Sequence, residues 1–185
     1  MSQPRPDKTD PSQFLSSVSA LRKRARKALA DGAMTPDYGL DREAAVQVLN
    51  AALATELVCV LRYRRHHFMA KGLDAEPVAA EFLAHSNEEQ DHADRLARRI
   101  VQLGGEPDFD PAHLTAHAHA EYVACTKLED MIRENLVAER IAIESYREMI
   151  RYFGDADPTT RTLLEGILAV EESHADELAD LLAPA

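Results

Sequence analysis

The sequence has few of the residues that punctuate a chain: only 7 Gly and 9 Pro among 185 residues, several of them near the ends or in apparent breaks. Beside abundant Ala, Leu, Glu and Arg, that scarcity points to long helices. Two cysteines, Cys59 and Cys125, are too few for a disulfide framework, which makes a reducing cytoplasm the expected setting. No stretch approaches the roughly 18–20 uninterrupted apolar residues of a membrane span. MSQPRPDKTDPSQ at the N-terminus lacks the apolar core of a secretory signal. No membrane role is expected. Net charge is −11, with +3 on residues 1–40 and −14 on residues 41–185. An acidic body disfavours nucleic-acid binding over its whole surface and suits a protein that concentrates cations.

A mass of 20.5 kDa suits one domain with a short appendage. Residues 1–40 read as an N-terminal extension and 41–185 as the domain. Within the extension, residues 1–11 hold three Pro and no periodicity, which predicts disorder. Phe14, Leu15, Val18, Leu21, Ala25 and Leu29 then recur at helical spacing from Pro11 to about Gly32. In the domain, Asp41 is a plausible N-cap for a helix from about Arg42 to Lys71, ended by Gly72. A second helix is predicted from about Glu76 to Leu103, before Gly104-Gly105. EPDFDPAHLTAHAHA reads as a long connection. The third helix is expected over about Glu121 to Phe153, and the fourth from Asp157-Pro158 to about Leu182. Short loops make each helix pair an antiparallel hairpin, and the long connection crosses between them. The class is all-α.

Two phrases nearly repeat: EEQDHADRL, Glu88 to Leu96, and VEESHADEL, Val170 to Leu178. On a helix, residues three apart share a face, so Glu89 pairs with His92 and Glu171 with His174. Each pair interrupts an apolar stripe, made by Phe82, Leu96 and Ile100 in one case and by Leu164, Leu168 and Leu178 in the other. Glu56 interrupts Leu49, Leu53, Val60 and Tyr63; Glu139 interrupts Ile132, Leu136, Ile143, Tyr146 and Ile150. Glu134 and Glu144 are the neighbours that a rotated third helix would turn inward instead. A buried carboxylate is costly unless it is paired or binds metal. Four inward carboxylates and two imidazoles offset two divalent cations, and this oxygen-nitrogen set suits Fe or Mn. His85, one turn before Glu89, is either an extra or transit ligand or a satisfied core or surface histidine. His113, His117 and His119 fall in the polar connection.

TELVCVLRY (55–63), EEQDHADRL, LVAERIAIESY (136–146) and VEESHADEL resemble the bacterioferritins and Dps-like mini-ferritins over about residues 42–182. The resemblance implies a ferritin-like four-helix bundle with an added N-terminal helix, assembled into a homo-oligomeric cage. It implies a ferroxidase that oxidises Fe(II) with dioxygen or hydrogen peroxide, two Fe per subunit, and stores the iron. Mn or Zn would be substitutes for the iron. Carried over residue by residue, Glu56, Glu89, His92, Glu139, Glu171 and His174 are metal ligands, with Glu89 and either Glu171 or Glu139 bridging. Tyr63 joins the catalytic set as a hydrogen-bond or one-electron donor. Haem-carrying members have Met after the first motif Glu; here Gln90 stands there, so haem is not expected. A related group carries a cysteine pair beside the metals; Cys125, placed on the third helix 14 residues before Glu139, is too far from the centre for that. Two other functions are compatible with the same residues. One is a di-iron or di-manganese peroxidase or catalase without storage. The other is DNA protection through LRKRARKAL (21–29), with five basic residues in six positions, which is less favoured because its apolar stripe suggests packing.

Overall fold

The computed structural model describes residues 17–72 and 75–183. The helices are α1 (Val18–Lys27), α2 (Arg42–Met69), α3 (Ala75–Gln102), α4 (Pro111–His117), α5 (Leu128–Phe153) and α6 (Pro158–Leu181), with a short 3-10 turn at Leu29–Asp31. The chain divides into two compact units between Tyr38 and Gly39. In the first, no residue of α1 is buried, and Arg24 pairs with Asp37 at 3.6 Å. Phe14 and Leu15, expected to open this helix, lie outside the described residues, as do residues 1–11.

The second unit is a four-helix bundle. Helix α2 pairs chiefly with α3, and α5 with α6; contacts of α2 with α5 and of α3 with α6 close it. The Asp41 side chain accepts from the Ala44 N–H at 2.8 Å and caps α2. At the end of α3, Gly104 takes a positive φ of 78°. A Cβ on Gly105 would lie 2.6 Å from both methyls of Val46, so that contact requires glycine. Leu49, Leu53, Phe82, Leu96, Ile100, Met131, Phe153, Leu164 and Leu178 are buried in the core, each contributing roughly 1.5–3 kcal/mol. Among the described residues one helix, α2, is long and apolar enough to cross a membrane. It buries Glu56, Arg62 and His66 within the bundle, and its apolar residues serve that core.

The connection between the hairpins differs from expectation. It contains α4, and α5 starts at Leu128 rather than near Glu121. Side chains of α2 hold this segment and explain both departures. Asn50 donates to the Glu106 carbonyl at 3.0 Å and accepts from the Asp108 N–H at 2.9 Å. Leu114 of α4 packs with Ala54 and Val58, and Thr55 Oγ1 accepts from the His119 N–H at 2.9 Å. Arg62 then takes the Glu121 carbonyl at 2.8 Å, and Arg65 takes the Cys125 carbonyl at 2.7 Å. Guanidinium groups thus satisfy backbone acceptors that a helix would otherwise pair internally. Cys125 is consequently off the helix and packs against the cluster that contains Cys59, so a distance measured along a helix does not apply. Both thiols are free.

The entry to α6 is tied to α3. Asp157 accepts from the Thr160 N–H at 2.9 Å as N-cap. The buried Arg99 guanidinium donates to both Asp157 carboxylate oxygens at 2.9 and 3.0 Å and to Thr160 Oγ1 at 2.8 Å. Removing one member of a buried ion pair costs about 3–5 kcal/mol. The variant Arg99→Leu is therefore expected to lose about that much stability in urea unfolding; a loss under about 1 kcal/mol contradicts this account.

Candidate metal centre

Each core helix brings its interrupting residues to one level of the bundle. Glu56 comes from α2, Glu89 and His92 from α3, Glu139 from α5, and Glu171 and His174 from α6, all buried. On α5 the inward stripe runs through Met131, Asn135, Ala138, Ala142, Tyr146 and Met149, whereas Leu136, Ile143 and Ile150 are only half-buried. Small alanines beside Glu139 leave room for the carboxylates. Glu134 and Glu144 stay out of the core. On α6, Ile167 takes the buried position and Leu168 is half-buried.

The six residues form two overlapping groups. Ligand atoms of Glu56, Glu89, His92 and Glu171 lie within 4.8 Å of one another, as do those of Glu89, Glu139, Glu171 and His174. Glu89 and Glu171 are common to both. His92 Nδ1 lies 2.9 Å from Glu171 Oε1, 3.4 Å from Glu56 Oε2 and 3.5 Å from Glu89 Oε2. His174 Nδ1 lies 3.5 Å from Glu89 Oε1 and 4.0 Å from Glu139 Oε2. Its Nε2 lies 2.6 Å from Glu88 Oε2, a contact that turns Nδ1 inward.

Among the described residues, seven buried atoms of these side chains find no hydrogen bond of proper geometry, His92 Nδ1 and Glu171 Oε1 included despite their 2.9 Å approach: Glu56 Oε2, Glu89 Oε1, His92 Nδ1, Glu139 Oε2, both oxygens of Glu171, and His174 Nδ1. Buried polar atoms are normally satisfied, and here the exceptions point at one another. Two divalent cations would satisfy them, so the donor set fits metal. The remaining oxygens of the outer carboxylates are anchored by phenols. Tyr63 of α2 donates to Glu139 of α5, and Tyr146 of α5 donates to Glu56 of α2. Burial pushes both phenols well above their usual range, which keeps them protonated donors.

The carboxylates cannot all ionise without cations. Burial, and then the charge of Glu89, raise Glu56 and Glu171 well above the ordinary range and raise Glu139 as well. Burial alone would raise Glu89 too, but the facing Glu56 carboxyl and the His174 and His92 imidazoles hold it below the usual range. Burial works against a charged imidazole, yet Glu56 and Glu89 hold His92 at about 10. Glu89, Glu139 and Glu88 likewise hold His174 at about 9 against its burial.

The sequence also carried a signal for Tyr146 as an anchor. Glu56 to Tyr63 and Glu139 to Tyr146 are the same Glu-x6-Tyr spacing, which places each tyrosine two turns beyond its carboxylate. Glu88 had no such marker, since Val170 occupies its place in the second phrase. His85 is buried and paired, as described below. Gln90 donates to Asp94 Oδ1 at 3.0 Å. In the connection, His113 pairs with Asp108 at 2.9 Å, on the exposed side of α4.

Residues 46–184 match the ferritin family, described as a ferritin-like domain. The chain is 33% identical over 153 residues to a nutrient stress-induced DNA-binding protein from Synechococcus sp., covering 79% of this chain and 86% of that one. It is 29% identical over 136 residues to bacterioferritin from Desulfovibrio desulfuricans, covering 72% of each. The structure superposes on a dodecameric thioferritin, the bacterioferritin-related protein from Bacteroides fragilis, with a TM-score of 0.75 and 32% identity, covering 78% of this chain and 87% of that one.

The protonation pattern predicts a pH dependence. Both histidines sit above their ordinary 6.5 in the folded state, so the stability that they add is complete below about 6.5 and is lost through about 9 to 10. The raised carboxyls act in the same direction, and Glu89 opposes only below the carboxylate range. The metal-free protein is therefore expected to melt at progressively lower temperature as pH rises from about 6.5 to about 9. Saturating Co(II) is expected to raise the Tm more at about pH 8 than at about pH 6, because binding displaces protons. A metal-free Tm that is flat in pH, or a Co(II) increment no larger at about pH 8 than at about pH 6, contradicts this.

Proposed function

The chain belongs to the ferritin-like family, in its bacterioferritin and Dps branch, and from that premise we propose that it oxidises Fe(II) with dioxygen or hydrogen peroxide and stores the ferric product. The observation that carries this reading is the set of seven orphaned ligand atoms at the middle of the bundle. Iron is here the substrate. Glu56 and His92 hold one ion, Glu139 and His174 hold the other, and Glu89 and Glu171 bridge them. Mn(II) or Zn(II) can substitute as non-oxidised occupants. The six side chains supply four negative charges and two neutral nitrogens, which balance two divalent cations and leave coordination positions open for the oxidant. Each Fe(II) gives up one electron, so a pair reduces dioxygen to hydrogen peroxide, or hydrogen peroxide to water. Tyr63 and Tyr146 fix the outer carboxylates through hydrogen bonds from their hydroxyls. The working form is a homo-oligomeric cage in the cytoplasm, which gives a mineral an enclosed volume.

A second reading, DNA protection, is favoured by two observations. The basic residues at positions 22–27 lie on a helix with no buried residue, and a relative is named for DNA binding. A mobility shift of duplex DNA, lost on deleting residues 1–32, is the outcome that this reading expects.

Iron storage is tested by loading metal-free protein anaerobically with Fe(II), adding dioxygen or peroxide, and counting the iron oxidised and retained. The expected result is two Fe(II) oxidised rapidly per subunit, followed by retained ferric iron well beyond that number. Glu171→Ala is expected to abolish the rapid phase. Turnover without retained iron would favour the peroxidase; an unchanged rapid phase in Glu171→Ala would remove the assignment of the centre.

A further inference from the structure

Glu81 and His85 of α3 and Glu177 of α6 form another group of potential ligands, with ligand atoms within 4.8 Å of one another. The His85 ring is 1% exposed, yet its Nε2 lies 2.9 Å from Glu177 Oε2 and 3.4 Å from Glu81 Oε1, on carboxylates that are 50% and 40% exposed. The trio therefore reaches from solvent into the interior. His85 Nδ1 is 3.3 Å from the Tyr63 hydroxyl, and the ring stacks on His174 with centroids 3.9 Å apart.

His85 belongs to a second group as well, with Glu139 and His174, again within 4.8 Å. Glu139 Oε2 and His174 Nδ1 are buried and lack hydrogen-bond partners. Glu139 and His174 in turn belong to the buried centre. The groups thus overlap in sequence: the outer trio shares His85 with the middle group, and the middle group shares Glu139 and His174 with the centre. A divalent cation is strongly hydrated, and removing its water in one step is costly. A series that begins with solvated carboxylates and continues through buried imidazoles replaces that water ligand by ligand. One imidazole and two carboxylates form a mixed nitrogen-oxygen set suited to a divalent first-row ion.

We propose that Glu81, His85 and Glu177 form a third divalent-cation site, an entry station from which ions pass along His85, Glu139 and His174 to the buried centre. The direction of passage rests on the reading of the centre given above; the existence of the site does not. The opposing account is that His85 only pins α3 to α6 through its contact with Glu177.

The test uses the full chain. Equilibrium dialysis of metal-free protein against Co(II), with elemental analysis, is expected to give three ions per subunit, one weaker than the other two. The double variant Glu81→Gln/Glu177→Gln keeps the shape of both side chains and is expected to bind two. At limiting Fe(II), its oxidation rate is expected to fall about ten-fold, because the negative charge that gathers cations is gone, while the final amount oxidised is unchanged. Glu171→Ala, which damages only the centre, is expected to retain the weak ion, so failure of the centre and failure of the entry station are read separately. Two ions on the wild-type protein, three on the double variant, or an unaltered oxidation rate in that variant each overturn the proposal.

Discussion

Four glutamates facing one another in the buried middle of a helix bundle are the constraint that the rest of this structure answers. Like charges so placed repel, and each loses its hydration. Without cations the cluster keeps its protons: Glu56, Glu139 and Glu171 are raised, and both imidazoles are held protonated at about 9 to 10. Among the described residues no arginine pairs with these carboxylates. The buried guanidinium groups are used elsewhere: Arg62 contacts Asn135 and the Glu121 carbonyl, and Arg99 contacts Asp157. On the proposed reading, these carboxyl groups exchange their protons for cations that come from solution.

Around that constraint the bundle is built twice. One hairpin supplies Glu56, Glu89 and His92, and the other supplies Glu139, Glu171 and His174. The halves also hold each other, since the tyrosine of α2 anchors the glutamate of α5 and the tyrosine of α5 anchors the glutamate of α2. The crossing arrangement makes each outer carboxylate depend on packing between the hairpins as well as within them. The same design explains why the connection runs along α2, held by Asn50, Thr55, Arg62 and Arg65: it must carry the chain the length of the bundle so that the second hairpin repeats the first.

What could be read from the sequence was periodic. Four long helices, their order and the six inward residues follow from residues that recur every three or four positions and from the charges that interrupt them. What could not be read depended on partners far away in the chain. The late start of α5 is set by arginines on α2 taking the carbonyls of Glu121 and Cys125, and no local propensity encodes that. His85 read equally as an extra or transit ligand or as a satisfied core or surface histidine, because Glu177, its partner on α6, is 92 positions away. On α5 the large residues Leu136, Ile143 and Ile150 suggested the core face, but Ala138 and Ala142 are buried beside Glu139 while those three are only half-buried. Tyr146 is the instructive intermediate: its spacing from Glu139 repeated that of Tyr63 from Glu56, yet only the structure shows that the two pairs cross.

On the proposed reading, two cations share Glu89 and Glu171 between them. Anomalous diffraction from crystals soaked in Mn(II) measures this most directly. The account predicts two peaks at the middle of the bundle, one beside Glu56 and His92 and the other beside Glu139 and His174, with Glu89 and Glu171 reaching both. A single peak, or none within reach of those six side chains, would contradict it.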